Sequence, residues 1–397
     1  MGSLQTCSGA RLVHYSDVVQ MAYPTRLSGL AAARERYGER VDRLAVQYMA
    51  SDTVADRVVT ALAEHPEQDA LRWVERACVE GMDRVPEAPL ALIELMRHVQ
   101  HVPFWVDFDR CERGGAVFYR SGLLGGVALG FGALARSYCS GGGNKPLMFT
   151  RKLLDRLPAR IADTADYVQT VSRSGAMRPG QPGFVATVRL RLLHARVRVG
   201  LLATPAFRVD SWGVPINSAD TAVTTLLFSK GLVEGVRRLG GHVSLAEEAD
   251  LLHLWRYIGY LLGVPEELLA TSIQDAELLA DLVDTLDGGP DDDSRALLDA
   301  MLNPIHFQQR FPDPRVARQV RACYLGACRA LLGDALATEV GVPPGAYDLA
   351  FQGGLRPTVQ VLSRIANWLP QRDAWQLRMG ERYWQQIAPN GPGVGRS

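Results

Sequence analysis

The chain has 397 residues, of which 47% are hydrophobic and 22% charged, so it has enough apolar material to bury a large core around a cofactor. Its 43 basic and 43 acidic side chains cancel, which excludes an overall basic field of the kind that draws a protein to nucleic acid or anionic lipid. The six cysteines lack CxxC spacing, which excludes a zinc ribbon and indicates reduced thiols in a cytoplasmic protein.

The chain is predicted to form one large helical domain with two flanking segments. Residues 1–50 are expected to be a looser extension, and their start, MGSLQTCSGARLVHYSD, shows no export signal. From residue 51 to residue 388, helix-period segments follow one another with almost no strand pattern, which predicts an all-α fold. Residues 389–397 are rich in Pro and Gly and are predicted to be a flexible tail.

The most apolar stretch, SGLLGGVALGFGALA, covers residues 121–135. It is shorter than the roughly 20 residues that a membrane-spanning helix needs, so no transmembrane segment is expected. Its glycines predict a tightly packed core helix, with close approach of a flat ligand as the alternative.

The segment LPARIADTADYVQTV is predicted to be an amphipathic helix with Pro158 in its first turn. Its polar stripe consists of Arg160, Asp163, Thr164 and Tyr167. Such a stripe is typical of a solvated helix face. If the stripe faces a cavity instead, an arginine beside a carboxylate is an acid–base pair suited to iron-bound oxygen or peroxide.

The segment FVATVRLRLLHARVRVGLL is apolar enough to be buried, yet Arg191 and Arg198 share a helix face with His194. Unpaired buried charges cost several kcal/mol, so these guanidinium groups must meet anions. A haem would supply both partners, with iron for the imidazole and propionates for the arginines. The alternative is an amphipathic helix with its arginines in water and an ordinary packed histidine.

Two later helices have clear start signals. The first is predicted to begin after Asn217, which can cap it, and to continue to Gly240. The second begins at a capping box formed by Ser244 and Glu247 and stops at Gly263.

The second of these helices carries four polar or aromatic side chains on one face, namely His253, Arg256, Tyr257 and Tyr260. They could anchor a propionate or line a pocket, and an interface is the alternative. The chain has no CxxCH, dinucleotide fingerprint, Walker loop, HExxH or GxSxG motif, which excludes covalent haem attachment and disfavours common dehydrogenase, kinase and hydrolase functions.

An ordered set of segments carries a family resemblance: HVPFWVD, ALARSYCS, RLLHARVR, GVPINSADTAVTTLLFS and LWRYIGYLLGVPEELL. From Val102 to Leu269 this set resembles the DUF2236 family of latex clearing protein (rubber oxygenase)-like and mycophenolic acid oxygenase-like haem proteins. The resemblance implies a mainly helical, globin-like core that holds a b-type haem. His194 falls at the position of the family's iron ligand, and Arg191 and Arg198 match basic residues that flank it. With Arg256, these residues are the predicted cofactor-binding set.

The resemblance also implies a catalytic set. Arg160 and Thr164 fall where rubber oxygenases have a distal-side arginine and threonine. Asp163 stands where those enzymes have a lysine, and Asn144 stands where they have a glutamate. These two departures make cleavage of rubber itself doubtful and favour acid–base assistance by Asp163 and Arg160.

Together these points predict an intracellular haem-dependent oxygenase or peroxygenase. It would use dioxygen or hydrogen peroxide to oxidise a hydrophobic small molecule, terpenoid-like or polyketide-like, in a biosynthetic tailoring step. Three alternatives stay open: a haem-dependent dehydratase or rearrangement enzyme with Asp163 as its acid, a haem carrier or sensor, and a helical scaffold that needs no haem.

Overall fold

The structure is a computed structural model, and it describes residues 23–149, 153–345, 353–354, 356–366 and 372–387. Within these ranges the chain is helical and contains no strand, which confirms the all-α fold class. The α-helices in chain order are α1 (Leu30–Tyr37), α2 (Arg40–Ala45), α3 (Thr53–Leu62), α4 (Glu67–Glu80), α5 (Leu90–Gln100), α6 (Phe108–Val127), α7 (Leu134–Tyr138), α8 (Lys145–Met148), α9 (Leu153–Ser172), α10 (Pro182–Leu202), α11 (Val209–Trp212), α12 (Ser218–Phe228), α13 (Lys230–Arg238), α14 (Leu245–Leu261), α15 (Ile273–Leu286), α16 (Asp292–Met301), α17 (Pro304–Arg310), α18 (Pro314–Leu332), α19 (Asp334–Glu339), α20 (Arg356–Ala366) and α21 (Arg372–Ile387).

Helix α6 lies at the centre of the main core, between α9 and α14. A Cβ atom on Gly114 would lie 2.4 Å from the carbonyl oxygen of Asp250, and one on Gly115 would lie 2.1 Å from that of Ser172. Only glycine allows both neighbouring backbones to come this close. Gly114 therefore lets α14 approach α6, and Gly115 lets α9, one of the two helices of the candidate site, approach it.

Helix α6 bends at Gly122, where φ is +46°, and continues through the π-helical turn Ala128–Ala133 into α7. By length and composition the whole stretch Phe108–Tyr138 is long and apolar enough to cross a membrane, with 44% of its most apolar window buried in the protein. The core helix of a globular protein meets the same criterion, so this stretch is only weak evidence for a membrane span.

The N-terminal residues from 23 onward pack into the helical domain. Leu27, Leu44 and Tyr48 are buried in one apolar cluster with Leu282 and Leu286 of α15. Residue 50 is therefore not a boundary in the packing, although the sequence predicted a looser extension up to that point. Residues 1–22 and the predicted tail, 389–397, lie outside the described residues.

The predicted boundaries of the later helices hold in part. Both hydrogen bonds of the capping box of Ser244 and Glu247 are present, and α14 ends at Leu261, two residues before Gly263. Asn217 caps α12 by accepting a hydrogen bond from the backbone N–H of Asp220. The prediction of one helix from there to Gly240 is wrong, because the backbone leaves the helical conformation at Ser229.

Helix α9 begins at Leu153, so the prediction of Pro158 in its first turn is wrong. Proline inside a helix removes one backbone hydrogen bond, and the chain tolerates that loss here. The predicted amphipathic pattern is present, because Leu157 and Val168 are buried while Arg160 and Asp163 are exposed.

Candidate functional site

Helices α9 and α10 form a hairpin, and one hydrogen bond sets their register. The phenol of Tyr167 donates to Oγ1 of Thr187 at 3.2 Å, since the hydrogen of that hydroxyl goes to the carbonyl oxygen of Gly183. The two helices run antiparallel, so their residues pair in opposite directions from this bond. Seven residues back from Tyr167 is Arg160, and seven residues forward from Thr187 is His194, at about the same distance along the pair. Arg160 therefore lies across from His194.

The two helices are closed at one end of this register and open at the other. Tyr167 and Thr187 are buried, whereas Arg160 is exposed and His194 is half-buried. On the α10 side, Leu193 has 51% of its surface exposed. We call the space between the N-terminal half of α9 and the C-terminal half of α10 the cleft.

The protein around His194 and Arg160 shifts the pKa of both side chains. Burial lowers the pKa of His194 to about 4, and the guanidinium groups of Arg198 and Arg160 lower it further. Arg160 has accessible surface, yet the protein around it desolvates the guanidinium and lowers its pKa; Tyr138 and Asp163 oppose that shift. The imidazole of His194 is therefore neutral at pH 7, as a metal ligand must be.

On the other side of His194, Arg191 forms a buried ion pair with Asp52, the N-cap residue of α3. Its Nε donates to Oδ2 of Asp52 at 2.6 Å, and its Nη2 donates to Oδ1 at 2.9 Å. Its Nη1 donates to the carbonyl oxygen of Leu261 at 3.2 Å, at the end of α14. This bidentate geometry is the strongest arrangement available to arginine and carboxylate.

Arg198 is also paired, one turn further along α3, but two of its nitrogens meet the same carboxylate oxygen. Its Nε and Nη2 lie 2.8 and 2.7 Å from Oδ1 of Asp56, and its Nη1 donates to the carbonyl oxygen of Ile216 at 2.9 Å. The buried arginines meet anions, as the sequence predicted, but the chain itself supplies a carboxylate to Arg191 and to Arg198. Their role in cofactor binding stays a prediction.

A small polar cavity adjoins His194 on this side. It is lined by Asp52, Arg191, His194, Arg198, Ile216, Asn217, Ser218, Thr221, Leu262 and Gly263. The cavity is water-sized, so a macrocyclic cofactor would have to occupy the cleft on the α9 side.

Two backbone features hold this cavity in shape. Gly263 has a φ of +83°, and a Cβ atom there would lie 2.7 Å from Oδ2 of Asp52, so glycine is required. Ile216 has a φ of +52°, which is strained for a β-branched residue. The hydrogen bond from Arg198 to its carbonyl oxygen helps to hold that conformation.

The structure does not bring Asn144 to the cavity that His194 lines. Asn144 is buried, and its Nδ2 donates to the carbonyl oxygen of Tyr138 at 3.1 Å and to Oγ of Ser294 at 3.0 Å. Tyr138 in turn lies near Arg160: burial raises the pKa of its phenol to about 12, and the guanidinium opposes that shift. A catalytic role for Asn144 stays a prediction.

Arg256 also lies apart from the residues that line this cavity. Its guanidinium stacks over the ring of Trp105, 3.9 Å from the ring centroid. On the same helix, His253 accepts a hydrogen bond at Nε2 from the backbone N–H of Asp107, and Tyr260 donates to the carbonyl oxygen of His98. The structure therefore uses this face of α14 for aromatic packing and hydrogen bonds to the backbone, and a role for Arg256 in cofactor binding stays a prediction.

Sequence reasoning missed the two carboxylates that pair with the buried arginines. Asp52 and Asp56 stand in the segment SDTVAD, at the i, i+4 spacing that puts both on one face of α3. Arg191 and Arg198 each need a buried anion, and two carboxylates at this spacing can supply them. Nothing in the local sequence indicates that the carboxylates of α3 meet α10. Among the described residues no group of three or more His, Cys, Asp or Glu side chains is arranged to hold a metal ion, so a single histidine is the metal-binding candidate.

The fold of the chain is similar to that of a helical protein whose structure has been solved. It is similar to the solved structure of latex clearing protein in the closed state, with a TM-score of 0.62 and 22% identity over 88% of this chain and 93% of that chain. At this identity the likeness shows the fold alone.

Residues 117–364, more than half of the chain, match the family described as ER-bound oxygenase mpaB/B'/Rubber oxygenase, catalytic domain. The chain therefore belongs to this family, as its segments predicted. It is 27% identical over 221 residues to the rubber oxygenase of Streptomyces sp. (strain K30). The match covers 55% of this chain and 54% of that protein, so the chain spans about half the length of this curated relative.

Proposed function

We propose that the chain is an oxygenase or peroxygenase that depends on a b-type haem and oxidises a hydrophobic small molecule, with His194 as the iron ligand. The observation that carries the proposal is the neutral imidazole of His194, placed across a cleft from Arg160 in a member of an oxygenase family. The family relation supports the class of reaction, and the imidazole supports the metal.

The residues of the cleft fit a haem in chemical type. A haem needs a neutral imidazole for iron and apolar surface for its flat macrocycle. His194 supplies the first, and Leu190, Leu193 and Val197 on the same helix are apolar and partly exposed beside it. Arg160 adds a cation for an anionic group of the cofactor or for reduced oxygen.

When bound, the haem iron supplies the activation of dioxygen or peroxide. The chain supplies the other groups. Arg160 donates hydrogen bonds into the cleft and stabilises negative charge there. Asp163, whose carboxylate interacts with that guanidinium, accepts and returns a proton, and Thr164 offers a hydroxyl one residue further along the exposed stripe.

The proposed substrate is a small hydrophobic molecule, terpenoid-like or polyketide-like, oxidised in the cytoplasm in a biosynthetic tailoring step. The relative from Streptomyces is named for its action on rubber. In this chain the position expected to hold that family's glutamate is Asn144, whose amide nitrogen donates two buried hydrogen bonds and whose side chain is no base. The half-exposed apolar side chains of the cleft support a hydrophobic substrate over a polar one.

An absorption spectrum of the purified protein, before and after dithionite and carbon monoxide, tests the proposal when haem content is measured on the same sample. We expect a Soret band at about one haem per chain that shifts with carbon monoxide. His194→Ala should lose that haem, whereas His242→Ala, which changes an exposed histidine, should keep it.

Three results count against the proposal. A colourless protein that also fails to take up added haemin removes the haem. Full haem content and an unchanged spectrum in His194→Ala remove the ligand assignment. A haem that carbon monoxide does not reach favours a carrier or sensor.

A further inference from the structure

The N-terminal end of α3 brings two carboxylates to the helix that carries His194. Asp52 and Asp56 pair with Arg191 and Arg198, three residues before and four residues after the histidine. Both carboxylates precede residues 117–364, the part of the chain that matches the family. The two carboxylates near His194 therefore come from a segment outside the matched region.

The two pairs form a closed charge system next to the imidazole. The side chains of Arg191 and Arg198 are each 3% exposed, and that of Asp52 is 11% exposed. Asp52 also caps α3, because its Oδ1 accepts from the backbone N–H of Ala55 at 3.2 Å. Two positive and two negative charges cancel, so the net charge beside His194 on this side is zero.

Three of these four charges lie beside the imidazole. Asp52, Arg191 and Arg198 line the same small cavity as His194. In a poorly solvated interior, a single unpaired charge has a large effect on a nearby group whose own charge changes, such as an iron that is reduced or oxidised.

We propose that Asp52 and Asp56 are positioning residues that set the redox balance of the iron bound by His194, by cancelling the charges of Arg191 and Arg198. The inference rests on the proposed function. Surroundings of this kind tune a metal through its ligand without touching the metal. The competing explanation is a structural tie that only holds α3 against α10.

The sign of the effect separates these explanations. Asp52→Asn leaves the charge of Arg191 uncompensated, and a positive charge favours the ferrous state. At a fixed applied potential the ratio of reduced to oxidised haem should rise on the order of tenfold. Arg191→Gln leaves the negative charge of Asp52 instead and should lower that ratio. The double variant, Asp52→Asn with Arg191→Gln, should return close to the wild-type ratio although the ion pair is gone.

The experiment is a spectroscopic redox titration of the haem-loaded full chain. Asp52→Glu keeps the charge and should stay near wild type. Glu67→Gln removes an exposed ion pair to Arg196 on the same helix and should change nothing. Asp56→Asn carries the same test through Arg198 if Asp52→Asn does not fold.

Folded, haem-loaded Asp52→Asn or Asp56→Asn protein with the wild-type ratio overturns this inference alone and leaves the structural tie. Shifts of the same sign in Asp52→Asn and Arg191→Gln overturn it too. Removing charges of opposite sign should shift the ratio in opposite directions, whereas loosening the contact between the helices would not. A wild-type protein that takes up no haem overturns the proposed function, and this inference with it.

Discussion

The two sides of the candidate site differ in the burial and pairing of their charged side chains. On the His194 side, formed by Asp52, Asp56, Arg191, His194 and Arg198, both guanidinium groups are buried and paired. On the Arg160 side, formed by Arg160, Asp163 and Thr164, the side chains are exposed.

The difference separates holding a ligand from doing chemistry. A histidine that binds a metal must keep one orientation, and buried pairs at fixed geometry provide it at a cost in desolvation. Groups that transfer protons must change partners during the reaction, so they cannot be tied into buried pairs. Variants on the His194 side should therefore act mainly on stability, and variants on the Arg160 side mainly on turnover.

The largest expected loss of stability follows Asp52→Ala. It removes the partner of a 3%-exposed guanidinium and leaves Arg191 as a buried, unpaired charge. Breaking such a pair from one side costs about 3–5 kcal/mol of unfolding free energy. Denaturant unfolding of wild type and variant measures it.

Glu67→Ala is the matched control, since it removes an ion pair to the same helix at side chains that are 74% and 72% exposed. Exposed pairs contribute about 0–1 kcal/mol. Equal losses in the two variants would contradict the distinction between buried and exposed ion pairs on this helix.

Acid should weaken the protein without bound haem through His194. Its pKa is about 4 in the folded chain and about 6.5 in the unfolded one, so between these values the unfolded chain binds the extra proton. Stability is full above about pH 6.5 and falls as the pH is lowered towards 4. A shift of this size corresponds to about 3 kcal/mol, which partial solvent access reduces to about 2.

Unfolding free energies at pH 7 and pH 4.5 measure this effect. His194→Gln should lose less stability than wild type over that range. Arg160→Gln should also lose somewhat less, because its guanidinium lowers the pKa of His194 from across the cleft. The same pH dependence in His194→Gln as in wild type would remove His194 as the cause, and the same dependence in Arg160→Gln would show that the two sides do not interact.

The sequence was sufficient to predict features that depend on local spacing and insufficient to predict contacts between distant segments. The fold class, the capping box of α14 and the shared face of Arg191, His194 and Arg198 follow from spacing along one helix. The partner of Arg191 lies 139 residues away, and no local pattern indicates such a pairing. The segments indicated the oxygenase family, but for this reason the sequence did not show that carboxylates of the chain itself meet the buried arginines.

The irregular backbone was also beyond local prediction. The break at Ser229 interrupts a segment in which the sequence predicted one continuous helix, and the hydroxyl of Ser229 bonds back to the carbonyl oxygen of Thr225. Such side-chain bonds compete with the helix and bend it. Whether they prevail depends on packing, which the sequence does not show.

A smaller loss is expected where the two helices meet. Tyr167→Phe removes the hydrogen bond from the phenol to Thr187 at the closed end of the cleft. Thr187 keeps its own bond to Gly183, so no donor is left unpaired. Loss of one such bond costs about 1 kcal/mol. A melting experiment should show a modest drop, and a loss as large as that of Asp52→Ala would mean that this contact, and not the ion pairs, carries the stability of the hairpin.

The smallest effect on stability and the largest on turnover are expected for Asp163→Asn. Its side chain is exposed and keeps nearly the same shape, so the unfolding free energy should change by less than about 0.5 kcal/mol. Asparagine cannot accept and return a proton, so turnover of an oxidised substrate should fall about 100-fold with haem content unchanged. Arg160→Lys, which keeps the charge but not the planar fork of donors, should fall less. Unchanged turnover in Asp163→Asn removes its acid–base role, and a stability loss comparable to that of Asp52→Ala would show that the Arg160 side is as much a structural element as the His194 side.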